Sequence, residues 1–188
     1  PEGIRVEAVT AFDEWSKPNG KDRVTGLWRP LAPRAVPEFP AFVAVLTRVL
    51  TGKSPEPVKT AVLVTARSLR WKLLSEPALA LLNNNQLKVK TRVAALEFLG
   101  AMNFPRLDVV LKRLSESKDE ELRIAALRFT TKSMRGKQSV ALFEKILNSG
   151  TLRERQNAYA LLGEVKDPAA DRSLVVRLDE LLAGKPVT

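Results

Sequence analysis

Along this chain apolar residues recur three and four positions apart, and nowhere do they alternate in the two-residue rhythm of a half-buried strand. The strongest rhythm is a short pattern that repeats: a basic residue, then small and apolar residues, then a large apolar residue four positions on. Its copies begin at Arg5, Lys59, Arg92, Arg123 and Arg155 and read RVEAVTAF, KTAVLVTA, RVAALEFL, RIAALRFT and RQNAYALL. They are 54, 33, 31 and 32 residues apart, so three consecutive intervals lie near 32. Three residues after the basic position stand Ala8, Val62, Ala95, Ala126 and Ala158; four after it stand Val9, Leu63, Leu96, Leu127 and Tyr159. On a helix these two columns form one stripe of alternating small and large side chains, which lets a neighbouring helix approach closely.

Between these helices the spacing predicts others, with stripes of Phe42, Val45, Leu46, Val49 and Leu50; Leu79 and Leu82; Leu107, Val110, Leu111 and Leu114; and Leu142, Phe143, Ile146 and Leu147. Each period is therefore a helical hairpin. Ser117 with Glu120 and Thr151 with Glu154 have capping-box spacing, and Pro57 and Pro77 suit the first turn of a helix. A hairpin of this length cannot bury both faces alone, so neighbours must stack on a shared core. The expected fold is an all-α solenoid, a single domain over residues 1–188: a first helix at 1–15, a Pro- and Gly-rich insertion at 16–37, and regular repeats over 38–188. A last helix near residues 169–184 carries Leu174, Val175, Leu178, Leu181 and Leu182 with no helix after it, which predicts an exposed apolar face or a longer natural chain. The first residue is Pro1, and the expectation is of a piece excised from something larger.

The R-x-A-A-L text of Arg92 and Arg123 is similar to short HEAT-like repeats, over residues 52–168. The ankyrin T-P-L-H-x-A text and the tetratricopeptide Trp, Leu-Gly, Tyr spacing are absent. This resemblance implies a fold and says little about function.

The insertion explains the 54-residue interval, since its prolines and glycines forbid a helix. It holds Trp28, Arg29 and Leu31 where a loop is expected. One reading packs Trp28 and Leu31 back onto Phe12 and Trp15, covering the end of the stack; the other makes them a docking epitope. The text around it, Glu7, Ala8, Phe12 and Trp15, then Asp22, Arg23, Val24, Gly26, Trp28, Arg29, Pro30 and Leu31, resembles the HEAT-repeat region of large exported bacterial proteins. In those, the repeats join a glucose- or sorbosone-dehydrogenase-like β-propeller to a C-terminal c-type cytochrome domain. The resemblance implies an exported, periplasmic protein in which these repeats are spacer and docking surface. No C-x-x-C-H stands here, so no redox function transfers.

Chemistry changes this picture mainly by exclusion. There is no histidine and no cysteine, which removes imidazole bases, thiolate nucleophiles, disulfides and the usual zinc sites. Thr51-Gly52-Lys53-Ser54 is only a fragment of a phosphate-binding loop, and Asp119-Glu120-Glu121 fits acids at a helix start. No cofactor, small-molecule substrate or catalytic residue is nominated, and no run of about 18 apolar residues suggests membrane insertion. The net charge is +10, and residues 51–150 hold 18 Lys and Arg against 9 Asp and Glu. The recurring basic positions read as ties between repeats or to helix-end carbonyls, with a ligand-facing ladder as the alternative. Arg67, Arg70 and Lys72, with Arg128, Lys132, Arg135 and Lys137, would gather on one edge as a candidate surface for an anionic partner. The leading expectation is a non-catalytic protein-interaction scaffold. The alternative is a nucleic-acid-binding protein resembling the HEAT-like DNA glycosylases, with basic middle repeats on phosphates and Trp71 near a lesion. Aromatics are few for base stacking, with three Trp and one Tyr.

Overall fold

Caps and prolines fix where several helices begin. The Thr151 hydroxyl accepts from the Glu154 amide while the Glu154 carboxylate accepts from Thr151 N–H, forming the expected box. Asp167 accepts from Ala169 N–H ahead of Pro168, and Pro57 stands in a first turn that needs no N–H. A computed structural model of the chain describes residues 1–15, 18–22, 24–35, 40–133 and 136–184. Among them the helices are α1 (Glu2–Thr10), α2 (Pro40–Thr51), α3 (Glu56–Ser68), α4 (Ser75–Asn83), α5 (Val89–Ala101), α6 (Leu107–Leu114), α7 (Glu120–Ser133), α8 (Gly136–Ser149), α9 (Leu152–Leu162) and α10 (Pro168–Leu182). A 3₁₀ turn at Lys72–Leu74 leads into α4. The described structure is all-helical, with one isolated β-bridge between Lys21 and Trp28.

The chain forms two units, Pro1–Leu107 and Asp108–Thr188. In the first, α3 packs between α1 and α5, while α2 lies against α3 and α4, and α4 against α5. Its core holds Val62, Leu63, Leu82, Ala95, Leu96 and Phe98, each with no exposed surface. In the second unit α9 packs on α7 and α8, and α10 on α8 and α9, around Leu127, Phe143, Leu147, Ala158, Leu162 and Ala170. The small-and-large columns are thus buried in the copies that start at Lys59, Arg92 and Arg123. In α1, which packs on α3, Ala8 is exposed and Val9 half-buried.

Within each unit, polar ties link residues about one period apart. Glu56 accepts from the Lys88 amide (2.9 Å) and the Thr91 hydroxyl (2.8 Å), 32 and 35 positions on. Thr60 and Thr91 share a hydroxyl hydrogen bond, Arg67 pairs with Glu97, and Arg106 pairs with Glu76 at 2.9 Å. In the second unit Arg123 donates to Glu154 (2.5 Å), Arg128 to Asn157 (2.9 Å), and Arg177 to Glu144 (2.9 Å) and Asn148 (2.6 Å). Glu120 accepts from Thr151 and Arg153, and Glu144 also from Ser173.

Three expectations need correction. The first helix ends at Thr10, and residues to Trp15 continue as tighter turns, with Asp13 N–H on Thr10 and Trp15 N–H on Phe12. Ser117 forms no box with Glu120: its hydroxyl accepts from Asp119 N–H, because α7 starts only at Glu120. In α4 the buried face is Ala78, Leu81 and Leu82, with Leu79 half-buried.

Candidate interaction surfaces

The insertion holds a tight turn that leaves its tryptophan in solvent. The Asp22 carboxylate accepts from Val24 N–H (2.8 Å) and Thr25 N–H (2.7 Å), an Asx-type turn. Those bonds, the Thr25 amide first, hold the Asp22 carboxyl below its usual range. Gly26 takes a φ of +71°, a conformation only glycine adopts freely, and Asp22 N–H closes the turn on Leu27. Lys21 and Trp28 then bridge, and Arg29 N–H donates to Gly20. The Trp28 ring lies where a Gly20 side chain would stand, its nearest atom 2.6 Å from an added Cβ. Glycine at position 20 therefore seats the indole on backbone.

Trp28 is nevertheless 74% exposed and Leu31 55% exposed, with Val24 at 95% beside them. The expectation that Trp28 folds back onto Phe12 and Trp15 is overturned, because those rings have other partners, while Leu31, though 55% exposed, lines one hollow with Trp15. Phe12 stacks on Trp15 at 6.0 Å and on Phe42 at 4.5 Å, and Phe42 meets Trp71 edge-on at 5.3 Å. Trp15 also donates its indole N–H to the Ala35 carbonyl and carries the Arg34 guanidinium over its ring. Arg29 is exposed with the turn. Arg23 and Arg135 lie outside the described residues.

The recurring basic positions serve the stack where the structure records their contacts. Arg92 is 8% exposed and donates from Nε to the Leu82 carbonyl in the last turn of α4, at 3.0 Å. Arg123 donates to the Ser117 carbonyl (2.7 Å) and to the Lys118 carbonyl (3.1 Å) as well as to Glu154. Hydrogen bonding to Arg123 holds the Glu154 carboxyl below its usual range, and hydrogen bonding to Ser173 and then Arg177 does the same for Glu144.

The candidate basic edge divides accordingly. Arg67 is committed to Glu97, Arg128 to Asn157, and Lys132 lies over the Phe129 ring at 5.4 Å. Arg70, Lys72 and Lys137 are exposed. Arg70 and Lys72 belong to the first unit and Lys137 to the second. Sequence reasoning did not single out Arg48, which lines one groove with Arg70 and Lys72. Nothing in the repeat pattern marks Arg48, whereas Arg70-Trp71 stands out because the next period reads Asn103-Phe104 there.

Among the described residues no three of His, Cys, Asp or Glu gather as metal ligands would, and no helix is long and apolar enough to cross a membrane. No protein-family model, no curated protein and no solved structure matches this chain.

Proposed function

We propose that this chain is a non-catalytic protein-interaction scaffold, built as an α-solenoid of short HEAT-like hairpins and serving as docking unit or spacer within a larger multidomain protein. The 32-residue sequence period and the polar ties that join residues 29 to 35 positions apart inside each unit support the solenoid reading. The observation that carries the function is the turn at residues 20–31. A loop that spends an Asx turn, a positive-φ glycine and a bridge on holding a tryptophan outward has the anatomy of an interface anchor, since large aromatics dominate binding energy when a partner desolvates them.

The test is a photoreactive amino acid placed at position 31 in cells that make the natural full-length protein. A discrete protein adduct that disappears with Trp28→Ser supports the scaffold. Adducts only to nucleic acid, or adducts indifferent to Trp28, refute it. The surplus of cations over residues 51–150 favours the nucleic-acid reading as the second choice. A duplex-DNA titration across a salt series separates the two, because phosphate contacts impose a steep negative slope of affinity on salt.

A further inference from the structure

A groove in the first unit runs between α2 and the turn that follows α3. Its volume is ≈ 690 Å³, and its lining includes Val43, Ala44 and Thr47 as apolar and neutral floor, and Arg48, Arg70 and Lys72 as charged rim. No acid lines it. Elsewhere in this unit Arg67 and Arg106 are taken up by Glu97 and Glu76, but among the described residues no carboxylate pairs with Arg48, Arg70 or Lys72. Leu73, also on the lining, is 77% exposed.

The turn itself departs from its counterpart one period on. Arg70 and Asn103 both take a positive φ, +58° and +51°. Both follow the same plan: Trp71 N–H reaches the Ala66 carbonyl as Phe104 N–H reaches that of Leu99, and Leu74 N–H returns to Trp71 as Leu107 N–H returns to Phe104. Asparagine adopts the left-handed region more readily than arginine, so the copy at residue 70 carries a backbone cost along with its cation. Likewise Trp71 and Phe104 are both buried, at 6% and 7% exposure, but the indole adds a donor. Its Nε1 is buried with no hydrogen-bond partner among the described residues. Buried donors are normally satisfied, and here packing alone asks only for a phenyl ring.

An open groove whose cations meet no carboxylate among the described residues, with a buried indole donor in its wall and an exposed leucine on its lining, is complementary to one kind of occupant. The geometry points to a docking site for an acidic segment of a partner protein, its carboxylates meeting Arg48, Arg70 and Lys72 and one large apolar side chain covering Val43, Ala44 and Leu73. This deepens the scaffold reading and rests on it only in taking the occupant to be protein. The Trp28 turn lines no part of this groove.

The probe is a fluorescein-labelled peptide, Asp-Glu-Leu-Phe-Glu-Asp-Leu-Glu, titrated into the full chain by fluorescence anisotropy. The expected result is saturable binding that weakens with salt, is lost when the acids become lysine, and drops when Leu and Phe become serine. The double variant Arg70→Asn, Lys72→Gln keeps the fold, since Asn103 occupies the equivalent position, and weakens binding about tenfold or more. Lys112→Gln with Lys145→Gln, in the second unit, leaves binding unchanged. The ¹H–¹⁵N indole signal of Trp71, assigned with Trp71→Phe, moves on peptide addition. Absence of binding, binding indifferent to the Arg70 and Lys72 changes, an indole shift confined to Trp28, or stronger competition by a short DNA duplex each overturns the site. A groove that fails while position 31 still cross-links to protein leaves the scaffold reading standing; both failing removes both.

Discussion

Replacing Arg92 by methionine separates a structural tie from a ligand-facing ladder. The aliphatic stem is conserved, and what is lost is the guanidinium that donates to the Leu82 carbonyl at 3.0 Å from a position 8% exposed. That carbonyl is one of the four at the end of α4 that have no partner within the helix, and a cation there also meets the negative end of the helix dipole. A hydrogen bond to a charged donor contributes ~1.5–3 kcal/mol, and a buried carbonyl left without a partner costs a comparable amount, so the loss is about 2 kcal/mol. With an m-value of ~1.5 kcal/mol per molar urea for a unit of this size, the midpoint falls by roughly 1 M. Trp15, Trp28 and Trp71 all lie in the first unit, and Trp71 is buried, so tryptophan emission follows that unit while Tyr159 lies in the other. Arg92→Lys, which keeps charge but not the planar donor geometry, falls between. A midpoint within 0.2 M of the parent, on the order of the ~0.3 kcal/mol expected of an uninvolved surface position, would refute the tie and return Arg92 to the ladder.

Three further outcomes follow from the same contacts. Glu144 and Glu154 have lowered folded-state values against an ordinary 4.5, so the second unit keeps their contribution above that pH and loses it as pH falls through the depressed values; Glu154→Gln flattens this acid limb in a pH series of urea midpoints. Trp28→Ser leaves thermal stability within ~0.5 kcal/mol, because the ring is mostly exposed, and a larger loss in calorimetry would mean that the turn supports the fold. On α10, Val175, Leu178, Leu181 and Leu182 are each more than half exposed, so light scattering at rising concentration detects association that Leu178→Lys with Leu182→Lys abolishes; a parent that stays monomeric counts against the face as a contact surface.

The sequence made the helices legible because their signal is local. The three-and-four spacing, the Thr151–Glu154 box and the small-large columns all act within one or two turns, and the structure buries Val62, Leu63, Ala95, Leu96 and Ala126 as those columns require. The apolar stripe of α10, with Leu174, Val175, Leu178, Leu181 and Leu182, was legible too. The fate of Trp28 was not. A large aromatic in a loop invites burial on the nearest rings, but whether Phe12 and Trp15 are available depends on Phe42 and Ala35, more than twenty residues away from one of the two rings and about twenty from the other. The division of the basic edge was hidden for a related reason. Arg67 and Arg128 look free until residues one period on are placed beside them, and then Glu97 and Asn157 take them up. An acid one period on marks Arg67 but not Arg128, whose partner Asn157 is neutral, so it is pairing in space that separates these two arginines from Arg48 and Arg70.

That separation carries a cost that can be measured. An ordinary L-residue held at φ +58° loses ~1–2 kcal/mol relative to right-handed backbone, and asparagine recovers much of it through its short polar side chain. Arg70→Asn should therefore stabilise the first unit by about 1 kcal/mol, raising its urea midpoint by roughly 0.7 M, while the reciprocal Asn103→Arg lowers it by a similar amount. The same Arg70→Asn change weakens the acidic peptide. Stability and binding then move in opposite directions at one residue, which is the signature of a side chain kept for contact rather than for the fold. If Arg70→Asn leaves the midpoint unchanged or lowers it, the backbone at residue 70 holds no strain, and the comparison with Asn103 gives no reason to assign that arginine to a partner.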